Sequence, residues 1–152
     1  MITIIFSHPC HGSFNKAVLD TITTALEKKK KEYQIIDLNK DNFNPVMTEG
    51  ELALYLKGQH EDPLVTKYQN MLKNFEYTES STGLKGKLTH IKSTKMITTG
   101  QSPRWYVKCF AGNMIQKTFI NATLKGVGIK NAKWFHCGDV SKGAQVKREK
   151  FL

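Results

Sequence analysis

Cysteine is scarce in this chain of 152 residues, and its three copies, Cys10, Cys109 and Cys137, form no C-x-x-C pair. An odd, scattered set excludes a disulfide framework and a paired-thiol zinc site, and reduced thiols in a cytoplasmic setting are expected. Long apolar runs are missing too. The longest opening run, Met1 to Phe6, is stopped by His8 and Pro9, too short for a signal-peptide core and far from the roughly 20 apolar residues of a membrane span. No membrane insertion is therefore expected. The sequence has no internal repeat, no G-x-G-x-x-G and no Walker A lysine-serine pair, which removes the commonest dinucleotide and nucleotide fingerprints. Acidic residues are also few: 13 against 23 lysines and arginines leave a net charge of +10.

What is there reads as alternating strands and helices in a single domain, residues 1–152, a length suited to one hydrophobic core. Met1 to Phe6 is a continuous β-branched run of the kind buried on both faces of a parallel sheet. Ser13 stands as the cap of a helix over 15–31, with Val18, Leu19, Ile22, Ala25 and Leu26 at helical spacing. Tyr33 to Leu38 follows as a second strand, completing a βαβ unit. Glu51 to Lys57 is expected to form a short helix. A better marked one follows: Asp62 caps it, Pro63 opens it, and Leu64, Val65, Tyr68, Met71 and Leu72 line one face.

The stretch from Lys73 to Lys92 breaks the alternation, being polar, glycine-punctuated and without a strand-like run. Beyond it, Thr94 to Thr99 is a strand running into Gly100. Asn113 and Gln116 resemble a capping box for a deeply buried helix that Gly126 and Gly128 end. Ala132 to Cys137 is a last strand, and Gln145 to Leu152 starts a helix that the chain end cuts short. The pattern defines a doubly wound α/β sheet in three layers.

In such sheets the ligand lies beyond the carboxyl ends of the strands, which directs attention to the loops after Phe6, Thr99 and Cys137. The first leads through His8, Pro9, His11 and Gly12 into the Ser13-capped helix, whose start attracts anions, with Ser13 and Asn15 offering side-chain hydrogen bonds to a phosphate. A plainer reading is an ordinary capped helix beside a solvated histidine.

His8-Pro9 with Ser13-Phe14-Asn15, Asn44-Pro45-Val46, Glu51-Leu52-Ala53-Leu54-Tyr55, Asp62-Pro63-Leu64-Val65 and Tyr68-Gln69 together resemble the flavodoxin-like NAD(P)H:quinone oxidoreductases. Gly83-Leu84-Lys85-Gly86, Thr98-Thr99-Gly100, Trp105-Tyr106 and Gly112-Asn113 continue the resemblance in the family's order. That group includes NAD(P)H dehydrogenase (quinone) flavoproteins, the modulator-of-drug-activity type and ancillary subunits of potassium-efflux systems. The resemblance implies a flavodoxin-like sheet, non-covalent FMN or FAD, NADH or NADPH as donor, a quinone or nitro acceptor, and a homodimer. By position it implies that His8, Ser13, Phe14 and Asn15 hold the flavin's phosphate and ribityl chain. Thr98, Thr99, Gly100 and Gln101 match the loop beside the isoalloxazine ring, and Tyr106 matches a tyrosine that stabilises charge as the flavin is reduced.

Three departures from the family's pattern stand out. Gln101 replaces a second glycine, the histidine that accompanies the tyrosine in some members has no match, and a whole strand-helix unit of roughly 30 residues is absent, with its join at Met71 to Phe75. In the flavodoxin-like strand order 2-1-3-4-5 the absent strand is the central one, which carries the main ring loop. A catalytically weakened regulatory or partner-binding module is the alternative these departures favour.

Two other classes are weaker. Lys28 to Lys31 form the densest basic run, but they end a helix, where the dipole favours them, and no aromatic stacking pattern accompanies them, so no nucleic-acid partner is expected. Cys10-His11 and His136-Cys137 supply zinc-like donors, yet adjacent residues of a strand point to opposite faces, so no metal is expected.

Overall fold

β1 (Ile2–Phe6), α1 (Phe14–Lys28) and β2 (Tyr33–Asp37) form the expected succession of strand, helix and parallel strand. The structure is a computed structural model that describes every residue except 56, 58, 73–76, 81–82, 87 and 142–144. The chain divides into two compact units, Met1–Asn74 and Phe75–Leu152.

In the first unit β1 and β2 run parallel with Ile2 opposite Tyr33 and Phe6 opposite Asp37. Ser13 caps α1 from an extended backbone, its hydroxyl accepting from the Lys16 amide at 3.3 Å. The helix buries Val18 and Leu19, and Lys30 leaves it at a φ of 50°. α2 (Glu49–Tyr55) and α3 (Pro63–Met71) follow. Asp62 caps α3 through the Leu64 amide at 2.8 Å, and Pro63 occupies the first turn, where a missing N–H costs nothing. Long-range bonds tie the unit together. Gln34 Nε2 donates to the Met71 carbonyl at 2.6 Å, and the buried Tyr68 donates its hydroxyl to Asp41 Oδ2 at 2.9 Å. Burial and that carboxylate push the Tyr68 phenol up to about 12.

Glu51 fastens α2 to the start of α3. Its Oε1 accepts from the backbone N–H groups of Glu61 and Asp62 at 2.9 and 3.1 Å, and its Oε2 lies 3.5 Å from His60 Nδ1. The Asp62 amide, above all, holds this carboxyl below its ordinary value, with the Glu61 amide and His60 acting the same way against partial burial.

The second unit opens with an antiparallel hairpin, β3 (Tyr77–Ser80) and β4 (Gly83–Gly86), then a single 3-10 turn, Leu88–His90. This corrects the expectation of a structureless 73–92. Strands of four residues are too short for a period of two to stand out in a polar sequence. The proposed join at 71–75 falls partly on residues 73–75, outside the described residues. β5 (Thr94–Thr99) and β6 (Ala132–Cys137) pair in parallel along their full length, with Thr98 opposite His136.

Between these strands two helical segments differ from expectation. α4 (Arg104–Cys109) has six residues, too few to show a helical period in the sequence. The segment Ile115–Leu124 is a π-helix, a wide helix with i to i+5 bonds, not a capped α-helix. Asn113 lies at a φ of 51° behind Gly112 at 71°, and Met114, not Asn113, precedes the first wide turn, so no capping box forms. The segment, which touches β6, is also less buried than its apolar content implies: Ile120 is buried, whereas Phe119 is exposed. Gly128 then turns the chain at a φ of 98°, where a Cβ would stand 2.7 Å from the Gly86 carbonyl oxygen. α5 (Gln145–Phe151) ends the unit.

The parallel strands form two-stranded ladders, β1 with β2 in the first unit and β5 with β6 in the second. In each ladder the strands have only one strand neighbour among the described residues.

Candidate functional site

Short-range bonds hold the loop after β1. The Cys10 amide donates to His8 Nδ1 at 3.2 Å, the Ser13 amide to the Cys10 carbonyl at 3.3 Å, and the Lys16 amide to Ser13 Oγ. Pro9, Cys10, His11 and Gly12 are exposed, and a Cβ on Gly12 would meet nothing within 4 Å. No acidic residue stands in the first turn of α1, and Lys16 pairs with Asp20 one turn on. An open loop with a capped, acid-free helix start fits an anionic group such as a flavin phosphate. Phe14 and Asn15 form the first turn beside Ser13.

The loop after β5 is built differently. It is laced backbone to backbone with the loop after β6: Gly100 donates to the Cys137 carbonyl at 3.0 Å, Val140 to the Gly100 carbonyl at 3.1 Å and Asp139 to the Gln101 carbonyl at 3.2 Å. Gln101 does not crowd this turn. Its side chain lies along the surface and its Oε1 accepts from the Ser141 hydroxyl. The close approach falls instead on Gly138, where a Cβ would stand 2.4 Å from the Ser102 carbonyl oxygen and 2.6 Å from the Pro103 Cα.

Beneath the turn runs a chain of side-chain bonds. Trp134 Nε1 donates to Thr98 Oγ1 at 2.8 Å, Thr98 Oγ1 meets His136 Nδ1 at 2.8 Å, and His136 Nε2 reaches the Ser102 carbonyl oxygen at 2.9 Å. Arg104 completes the group, donating from Nη2 to the Trp134 carbonyl at 3.0 Å with its guanidinium 5.4 Å from the Trp134 ring centre. Thr98 therefore turns its hydroxyl inward, and of the expected ring-side residues Thr99, Gly100 and Gln101 form the outer edge.

Tyr106 lies on α4, 44% exposed, stacked on Phe110 at 5.8 Å and edge-on to Trp105 at 5.9 Å. Its hydroxyl has no hydrogen-bond partner among the described residues, which leaves it available to a ligand. Cys137 is buried, and both ring nitrogens of His136 are engaged by protein atoms. No group of three or more metal-ligating side chains occurs among the described residues, nor is any described helix long and apolar enough to cross a membrane.

Reasoning from the sequence missed His136, Trp134 and Ser141 as parts of the second loop. A usable signal existed. Thr98 and His136 are each the fifth residue of a six-residue strand, so pairing the strands end to end sets them opposite one another.

These features, a βαβ start, parallel ladders and loops at their carboxyl ends, define the doubly wound α/β class. The family model described as the flavodoxin-like fold matches residues 1–76, half of the chain, and the chain belongs to that family. Two solved structures are similar over nearly the whole chain. An NAD(P)H:quinone oxidoreductase from Methanothermobacter marburgensis matches with a TM-score of 0.79 at 17% identity, covering 99% of this chain and 92% of its own. Smu.1420 from Streptococcus mutans UA159 matches with a TM-score of 0.76 at 22% identity, covering 98% and 93%. None of the curated proteins matches the sequence.

Proposed function

We propose that the chain is a flavin-dependent NAD(P)H oxidoreductase that passes two electrons to a quinone or nitro-type small molecule. The observation that carries this reading is the exposed, acid-free loop from β1 into the Ser13-capped helix, in a chain of the flavodoxin-like family. The likeness in fold to an NAD(P)H:quinone oxidoreductase supports it. A bound FMN or FAD would supply the redox chemistry, hydride transfer between NADH or NADPH and the acceptor. The protein's own residues bind and orient. His8, Ser13, Phe14 and Asn15 receive the phosphate and the polar chain next to it. Thr98 to Gln101 give a prebuilt edge for the ring, and Tyr106 offers a phenol to developing negative charge. The basic surface draws anionic cofactors towards the protein. A homodimer in the cytoplasm is the form we expect to be active.

Anaerobic addition of NADPH or NADH to protein reconstituted with FMN or FAD should bleach the flavin's visible band. Tyr106→Phe should slow that step while flavin stays bound. No bleaching with either donor and either flavin would overturn the oxidoreductase reading. It would leave a binding module, which the two separate strand ladders and the inward Thr98 hydroxyl favour as the second reading.

A further inference from the structure

The chain of bonds through His136 links the strand pair to the turn that the proposed function sets at the ring edge. Its proton order follows from the partners. The Ser102 carbonyl can only accept, so His136 Nε2 carries a proton. Trp134 Nε1 can only donate, so it fills one acceptor site of Thr98 Oγ1. In the neutral ring Nδ1 is then bare, and it takes the Thr98 hydroxyl proton. Each link has one direction, from Trp134 through Thr98 and His136 to Ser102. The span matters as well: Thr98 and Ser102 lie four residues apart on either side of the turn, and one imidazole grips both. Gly100, at the crest, passes with its Cβ position 3.3 Å from His136 Cε1, so the turn rests on the ring.

We propose that His136 is a positioning residue that fixes the Thr98-to-Ser102 turn before any cofactor arrives. Its Nδ1 keeps the Thr98 hydroxyl turned inward and its Nε2 pins the Ser102 carbonyl. The turn is thereby preorganised, so binding a ring against Thr99, Gly100 and Gln101 costs no loop ordering. The link from the turn to cofactor affinity rests on the oxidoreductase reading; the grip on the turn does not.

Two conservative variants separate the two ring nitrogens. His136→Gln reaches as far as Nε2 and keeps a donor to Ser102, but loses the near acceptor for Thr98. His136→Asn keeps an acceptor near Nδ1 and loses the reach to Ser102. In protein without flavin, His136→Asn should speed amide exchange of Asp139 and Val140, which donate into the turn, by about fivefold, the scale of one net hydrogen bond, with His136→Gln near wild type. The Trp134 indole N–H resonance should move in His136→Gln and hold in His136→Asn. If both variants shift both signals alike, or neither signal moves, the positioning role is wrong and His136 is only packing. With FMN, His136→Asn should raise Kd by about the same fivefold. An exchange split with equal FMN affinity in all three proteins keeps the grip and overturns its link to the cofactor. Wild-type protein that binds no flavin but shows the split overturns the oxidoreductase reading and supports the grip.

Discussion

The loop after β1 and the loop after β5 are built on opposite principles. In the first, His8, Cys10, Ser13 and Lys16 are joined by bonds between residues two or three apart, and most of the loop faces solvent. The second is closed by bonds between residues 34 to 40 apart, reaching from β5 and its loop to β6 and the loop beyond. A local loop can adapt to a flexible phosphate tail with little disturbance elsewhere. A loop laced to a distant segment holds one shape, as a flat rigid ring requires, and it inherits the stability of the strand pair beneath it.

This contrast makes damage to the second loop the more costly. Gly138→Ala should have the largest effect, because its new Cβ would collide with backbone at Ser102 and Pro103 that no side-chain rotation can relieve. A loss of about 1–3 kcal/mol in urea unfolding is expected, the usual cost of overpacking. Trp134→Phe removes the donor to Thr98 while keeping a buried ring, and should cost about 1 kcal/mol together with faster amide exchange at Val140. Ser13→Ala strips the cap from the first loop and should cost about 1 kcal/mol, with exchange changes confined to the first turn of α1. If Ser13→Ala disturbed the second unit, or Gly138→Ala left its amides untouched, the contrast between local and distant closure would fail.

The smallest effect is a pH dependence within the first unit. Glu51 has its folded-state pKa lowered, so the stability it contributes is complete above its unfolded value near 4.5 and disappears as pH falls through the folded value. Glu51→Gln should flatten that acid limb in urea midpoints measured across it. An identical slope in both proteins would show that the bonds to Asp62, Glu61 and His60 do not survive in solution.

The same division explains what the sequence made legible. β1, α1, β2 and α3 were readable because apolar runs, caps and an opening proline are local signals, and the family match covers this half. β5 and β6 were legible as strands, yet the bonds joining them were not, since nothing local in Thr98 or His136 announces a partner 38 residues away. The π-helix was misread because the apolar spread of Ile115, Phe119 and Leu124 serves wide and normal helices alike, and the left-handed Asn113 removed the cap its side chain promised. The Gln101 side chain leaves the turn for Ser141, and the tight approach belongs to Gly138 in the loop after β6.

The proposed flavin site depends most on the β1 loop and the Ser13-capped helix holding the phosphate. A titration of the protein with FMN and with riboflavin, which lacks the phosphate, tests it directly. FMN should bind at least about tenfold tighter, equal to about 1.4 kcal/mol, and added salt should narrow the gap. Equal affinity for the two, or no saturable binding of either, would contradict it.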